Sequence, residues 1–160
     1  MSIYKILTSL RQLCSLRLKY NNPTYDQQIN LTHQHLELIE FNFHNRLNIQ
    51  FLRDFFNPNK FPSLAKVKLV NKNYTLADEE SLIQLLNQDY SHIRSFTLIR
   101  RGGDEFSDAI RWQILGFLQS NHFYEVTLKG VNFTELQQDR YTMIMNAMPS
   151  LVRSSTENQP

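Results

Sequence analysis

Leu64-Ala65-Lys66-Val67-Lys68-Leu69 carries apolar side chains at relative positions 1, 4 and 6 of a six-residue phrase. Positions 4 and 6 alternate with lysines, which is the pattern of a short strand with one buried face. The phrase returns on both sides. Leu13-Cys14-Ser15-Leu16-Arg17-Leu18 and Leu38-Ile39-Glu40-Phe41-Asn42-Phe43 precede it. Ile93-Arg94-Ser95-Phe96-Thr97-Leu98 and Phe123-Tyr124-Glu125-Val126-Thr127-Leu128 follow it, and a sixth copy begins at Leu151 and fades. Successive first positions lie about 25, 26, 29, 30 and 28 residues apart. Phe61-Pro62-Ser63 ahead of Leu64 is matched in phase by Met148-Pro149-Ser150 ahead of Leu151.

Between phrases lie helical patterns with their own start signals. Thr75-Leu-Ala-Asp78 and Thr134-Glu-Leu-Gln137 read as capping boxes, in which two backbone donors are satisfied reciprocally. Asp104 is expected to cap a helix from Glu105 to Leu118, whose apolar stripe runs through Phe106, Ile110, Ile114 and Leu118. Ile3 to Leu10 and Asn48 to Phe56 read as further helices, and Asn21 to His35 as the weakest. Strand, turn, helix and return predict parallel strands joined by crossover helices. No such unit buries both its faces alone, so stability must come from stacked neighbours.

Five phrases in phase resemble the leucine-rich-repeat family, in its long-repeat, ribonuclease-inhibitor-like form also found behind F-boxes. The resemblance spans Ile3 to Leu151. It implies an α/β solenoid of about five repeats over residues 1–152, with strands lining a concave face, helices on the convex side, and 153–160 as a polar tail. It also implies a protein-binding module, for instance the substrate-recognition part of a ubiquitin-ligase-like or regulatory complex, although no F-box is recognisable in the chain. The family places Asn at relative position 9. Asn21 fits, whereas Arg46, Lys72, Arg101 and Val131 stand there in later copies, with Asn45, Asn71, Asn73 and Asn132 one residue away.

Composition narrows the class without naming a partner. In 160 residues, 41% are hydrophobic and 20% charged, so the chain can bury a core and is not a disordered tail. A single cysteine, Cys14, forms no internal disulfide, and no secretory leader is read at the start, so an intracellular, cytoplasmic setting is expected. No apolar run approaches the roughly 20 residues of a membrane helix. The net charge of +2 does not argue for nucleic acid.

Catalytic and metal chemistry were sought as the alternative, a small hydrolase or metal enzyme on a β/α scaffold. His33 and His35, with Glu37, have strand-like spacing but no further ligand nearby. His92 and His122 share one repeat phase, which argues for a role in a turn. Asp78-Glu79-Glu80 and Asp104-Glu105 with Asp108 fall in first helical turns, where carboxylates favour the positive end of the dipole. Arg100-Arg101-Gly102-Gly103 lacks the spacing of a phosphate loop. No enzyme activity, cofactor or metal is therefore expected. The expected site is instead the strand face opposite the helices, formed by positions 3, 5 and 7. Repeat one contributes Ser15, Arg17 and Lys19; repeat two, Glu40, Asn42 and His44; repeat three, Lys66, Lys68 and Val70. Ser95, Thr97 and Ile99 follow, then Glu125, Thr127 and Lys129. Five cations against two carboxylates give this face a net charge of about +3. A protein partner with an acidic patch is the expected ligand, with Arg17, Lys66 and Lys68 as its main contacts.

Overall fold

The computed structural model describes residues 3–19, 32–43, 53–148 and 153–157. Six strands form one sheet in chain order: β1 (Ser15–Lys19), β2 (Leu38–Phe43), β3 (Lys66–Tyr74), β4 (Ser95–Gly103), β5 (Glu125–Lys129) and β6 (Arg153–Glu157). Every neighbouring pair is parallel. The helices are α1 (Ile3–Ser9), α2 (Glu79–Leu86), α3 (Asp108–Ser120) and α4 (Glu135–Ala147), and residues 53–55 are also helical. The last three of these helices cross over between consecutive strands from β3 to β6, as parallel pairing requires. The protein is thus an α/β chain with a parallel sheet. No described helix is long and apolar enough to cross a membrane.

One hydrogen-bond pattern recurs at every join from β1 to β5. The Cys14 carbonyl accepts from the amides of both Glu37 and Leu38, at 2.8 and 3.1 Å. The Glu37 carbonyl accepts from Ala65 and Lys66, that of Ala65 from Arg94 and Ser95, and that of Arg94 from Tyr124 and Glu125. Cys14, Glu37, Ala65, Arg94 and Tyr124 are therefore equivalent. This corrects the reading of the second phrase: it starts at Leu36, not Leu38. The register agrees, since Leu16, Ile39, Val67, Phe96 and Val126 form one row, and Leu18, Phe41, Leu69, Leu98 and Leu128 the next. Leu36, Leu38, Ile39, Phe41 and Phe43 offer two settings with apolar residues at 1, 4 and 6. A slip of two residues leaves every side chain on its own face, so the alternation could not choose between them.

Both rows lie in a single apolar cluster with Leu82 and Leu85 of α2 and Ile110, Ile114 and Leu118 of α3. Aromatic rings add contacts within this core. Phe55 meets Phe61 at 4.8 Å, Phe56 meets Tyr90 at 4.7 Å, and Phe117 lies 4.8 Å from both Tyr90 and Phe96. Such pairs add about 0.5–1.5 kcal/mol beyond burial.

The helix starts follow local chemistry. The Asp78 carboxylate accepts from the Thr75 amide at 2.9 Å, and Thr134 and Gln137 complete both halves of their box at 3.3 and 3.0 Å. The expected cap at Asp104 is not used. Ser107 Oγ accepts from Ile110 N at 3.2 Å, and α3 starts at Asp108. Asp104 stays with the preceding strand, its amide donating to the Tyr74 carbonyl.

Residues 153–160 were expected to be a tail outside the repeat region. Instead Arg153–Glu157 pairs with all of β5, with Ser154 in register with Val126 and Thr156 with Leu128. These are positions 4 and 6 counted from Leu151. The sixth phrase continues in Ser and Thr where the others have apolar residues, because ladder pairing uses backbone groups that every residue carries. Leu151, the helical expectation over residues 21–31 and 48–52, and residues 158–160 lie outside the described residues.

Candidate functional site

The strand side chains that alternate with the two core rows form the open face of the sheet. The two-residue correction re-aligns this face. Glu40 moves from the row of Ser15 and Lys66 to the row of Arg17, Lys68, Thr97 and Thr127. It therefore lies between two cations on the flanking strands. Arg17 Nε pairs with Glu40 Oε2, and Lys68 Nζ with Glu40 Oε1 at 3.2 Å. Asn42 Nδ2 donates to Glu40 Oε2 at 2.8 Å from two residues along β2. Burial pushes the Glu40 carboxyl up, but the hydrogen bonds from Asn42 and Lys68 and the charges of Lys68 and Arg17 outweigh it. The net effect holds the carboxyl below its usual 4.5. Arg17 and Lys68 are thus not two free cations, as the sequence implied, but the flanks of a buried carboxylate.

Elsewhere the face is graded. Lys66 is exposed, Thr97, Thr127 and Lys129 are half-buried, and Glu125 accepts from Ser95 Oγ at 3.1 Å. Val70 and Ile99, adjacent in register, are buried yet stand outside the main apolar cluster, so the face carries an apolar pair beside Asn42. The side chain of Lys19 and all of His44 lie outside the described residues. Asn42 takes the place in register with Lys19 and Val70 that alternation had given to His44.

At the strand exits, polar side chains satisfy backbone carbonyls. Asn71 and Arg100, paired across β3 and β4, are both buried. Asn71 Nδ2 donates to the Phe43 carbonyl at 3.3 Å. Arg100 donates to the Gly130 carbonyl at 2.7 Å and to those of Gly102 and Asp104 at 3.2 and 3.3 Å. Arg100 therefore satisfies backbone carbonyls rather than offering a surface charge. Asn73 and Asn132 take the left-handed turn, at φ 55 and 56. Spacing does not assign these roles, because in β3 Asn71, Lys72 and Asn73 are all polar.

His33 and His92 are packed into the structure, whereas His35 and His122 are exposed. His33 is buried, with Nδ1 accepting from Leu36 N at 3.1 Å and Nε2 lying 3.0 Å from the Leu10 carbonyl. Those partners require a neutral ring protonated at Nε2. His92 has both ring nitrogens buried without a hydrogen bond, and burial lowers its pKa against the opposing charge of Asp89. Among the described residues no three His, Cys, Asp or Glu side chains converge in a metal-holding arrangement. No family model, no curated protein and no solved structure matches this chain.

Proposed function

We propose that this chain is a short leucine-rich-repeat solenoid of the ribonuclease-inhibitor-like kind, and that its open sheet face binds a protein partner. The recurring bifurcated bond at equivalent residues supports the repeat reading. The observation that carries the binding reading is the open face itself. A carboxylate held by residues from three adjacent strands lies beside a buried apolar pair, with Lys66 and the 64%-exposed Arg17 side chain at its border. Apolar floor, fixed polar groups and charged border are the parts from which recognition surfaces are made. The partner presents an acidic segment to Arg17 and Lys66. Substrate recognition in a ubiquitin-ligase-like or regulatory complex is one setting for such a module.

Affinity purification from a cell lysate, with bound proteins quantified, tests this reading. Thr97→Glu places a carboxylate at the centre of the face, where it should repel an acidic ligand and strip the bound protein roughly tenfold. Arg140→Glu, on the exposed side of α4, should leave capture unchanged. Equal capture by wild type and Thr97→Glu, with loss on Arg140→Glu, would move the site to the helices.

A further inference from the structure

Strand β6 stands at one end of the sheet, and among the described residues no strand pairs with its outer edge. An edge strand presents a row of N–H and C=O groups ready to pair, unless proline, like charges or a covering segment prevent it. The two edges of this sheet differ in this respect. β1 reads Ser15-Leu16-Arg17-Leu18-Lys19, with two positive charges. β6 reads Arg153-Ser154-Ser155-Thr156-Glu157, with no proline and one charge of each sign at its two ends.

We propose that β6 pairs antiparallel with β6 of a second copy, making a symmetric dimer with one sheet running through both. Centring the pair on Ser155 sets Arg153 opposite Glu157 of the second copy and Ser154 opposite Thr156, and the two-fold axis repeats each pairing. Opposite charges facing each other across antiparallel strands stabilise the pair, and like charges destabilise it. Sliding the register by two residues abolishes both charge pairs. The same operation at the other edge would set Arg17 against Arg17, so β1 does not serve. Joining β6 to β1 of another copy would be head-to-tail and would grow without closing. Arg153, Ser155 and Glu157 are in register with Glu125, Thr127 and Lys129, so the dimer extends the same sheet face across both copies. The inference rests on β6 alone and stands whether or not that face binds a partner.

Sedimentation velocity over a concentration series tests it with four proteins: wild type, Arg153→Glu, Glu157→Lys and the double variant. Wild type should show a monomer–dimer equilibrium. Each single variant opposes like charges twice per dimer and should weaken association roughly tenfold or more. The double variant restores both pairs in reverse and should dimerise like wild type. An equimolar mixture of the two single variants should also recover the dimer, since one edge is then acidic throughout and the other basic. Recovery in the mixture also shows that both single variants are folded. A wild type that stays monomeric, a dimer indifferent to all four sequences, a mixture that does not recover, or open-ended growth with concentration would overturn the proposal.

Discussion

Glu40 is the residue whose surroundings say most about this face. Its carboxyl is held below 4.5 in the fold, so folding favours the charged form. The stabilisation is complete above about pH 4.5 and is lost as pH falls through the lowered folded value. Glu40→Gln should therefore be less stable than wild type by about 1–2 kcal/mol at neutral pH and should converge on it in acid. Denaturant titrations at pH 7 and pH 3 check both halves. Tyr74 runs the opposite way. Its hydroxyl is buried without a hydrogen bond, and burial, with the charges of Glu79, Asp78 and Asp104, pushes its pKa to about 12. Folding favours the protonated form, so this contribution is full below pH 10 and lost between pH 10 and 12. Tyr74→Phe should be neutral or up to about 1 kcal/mol stabilising at pH 7, because it removes an unpaired buried group. Tyr90→Phe should cost about 1 kcal/mol, because that hydroxyl donates to the Leu85 carbonyl at 2.9 Å. In thermal melts Tyr74→Phe should hold or raise the midpoint, whereas Tyr90→Phe should lower it.

At the scale of elements, strands, capping boxes and the core stripe of α3 could be read from sequence, because each rests on local spacing. The rest depended on what neighbouring strands bring. Whether Leu36 or Leu38 opens the second phrase is a matter of pairing, and the identity of Glu40's neighbours follows from it. Lys68 shows the consequence. Read from alternation alone, it is a free surface lysine whose reversal leaves the fold nearly intact. Beside Glu40, Lys68→Glu sets two carboxylates together and should cost about 1–3 kcal/mol, whereas Lys66→Glu should cost about 0.5 or less. Comparing the two unfolding midpoints separates these cases. The strand exits are equally demanding. A Cβ at Gly103, where φ is +76, would lie 2.3 Å from the Tyr74 amide nitrogen, and one at Gly130 would lie 2.5 Å from the Arg100 carbonyl oxygen. Gly103→Ala should destabilise by about 3 kcal/mol or more, read as loss of the cooperative melt.

At the scale of the whole molecule, stability is shared across the sheet, because both apolar strand rows and the inner sides of α2 and α3 belong to one buried cluster. Removing residues from 153 onward uncovers the entire β5 edge. That truncation should lower the unfolding midpoint measurably, contrary to what a polar tail would predict. In the proposed complex the open sheet face, not the helical side, meets the partner. Lysine reactivity mapped by acetylation and mass spectrometry, with and without the captured protein, tests it most directly. Lys66 and Lys129 belong to the open face, and exposed Lys5 to α1. Lys66 and Lys129 should lose reactivity severalfold in the complex while Lys5 keeps its own; protection of Lys5 with Lys66 and Lys129 unchanged would put the partner on the helical side instead.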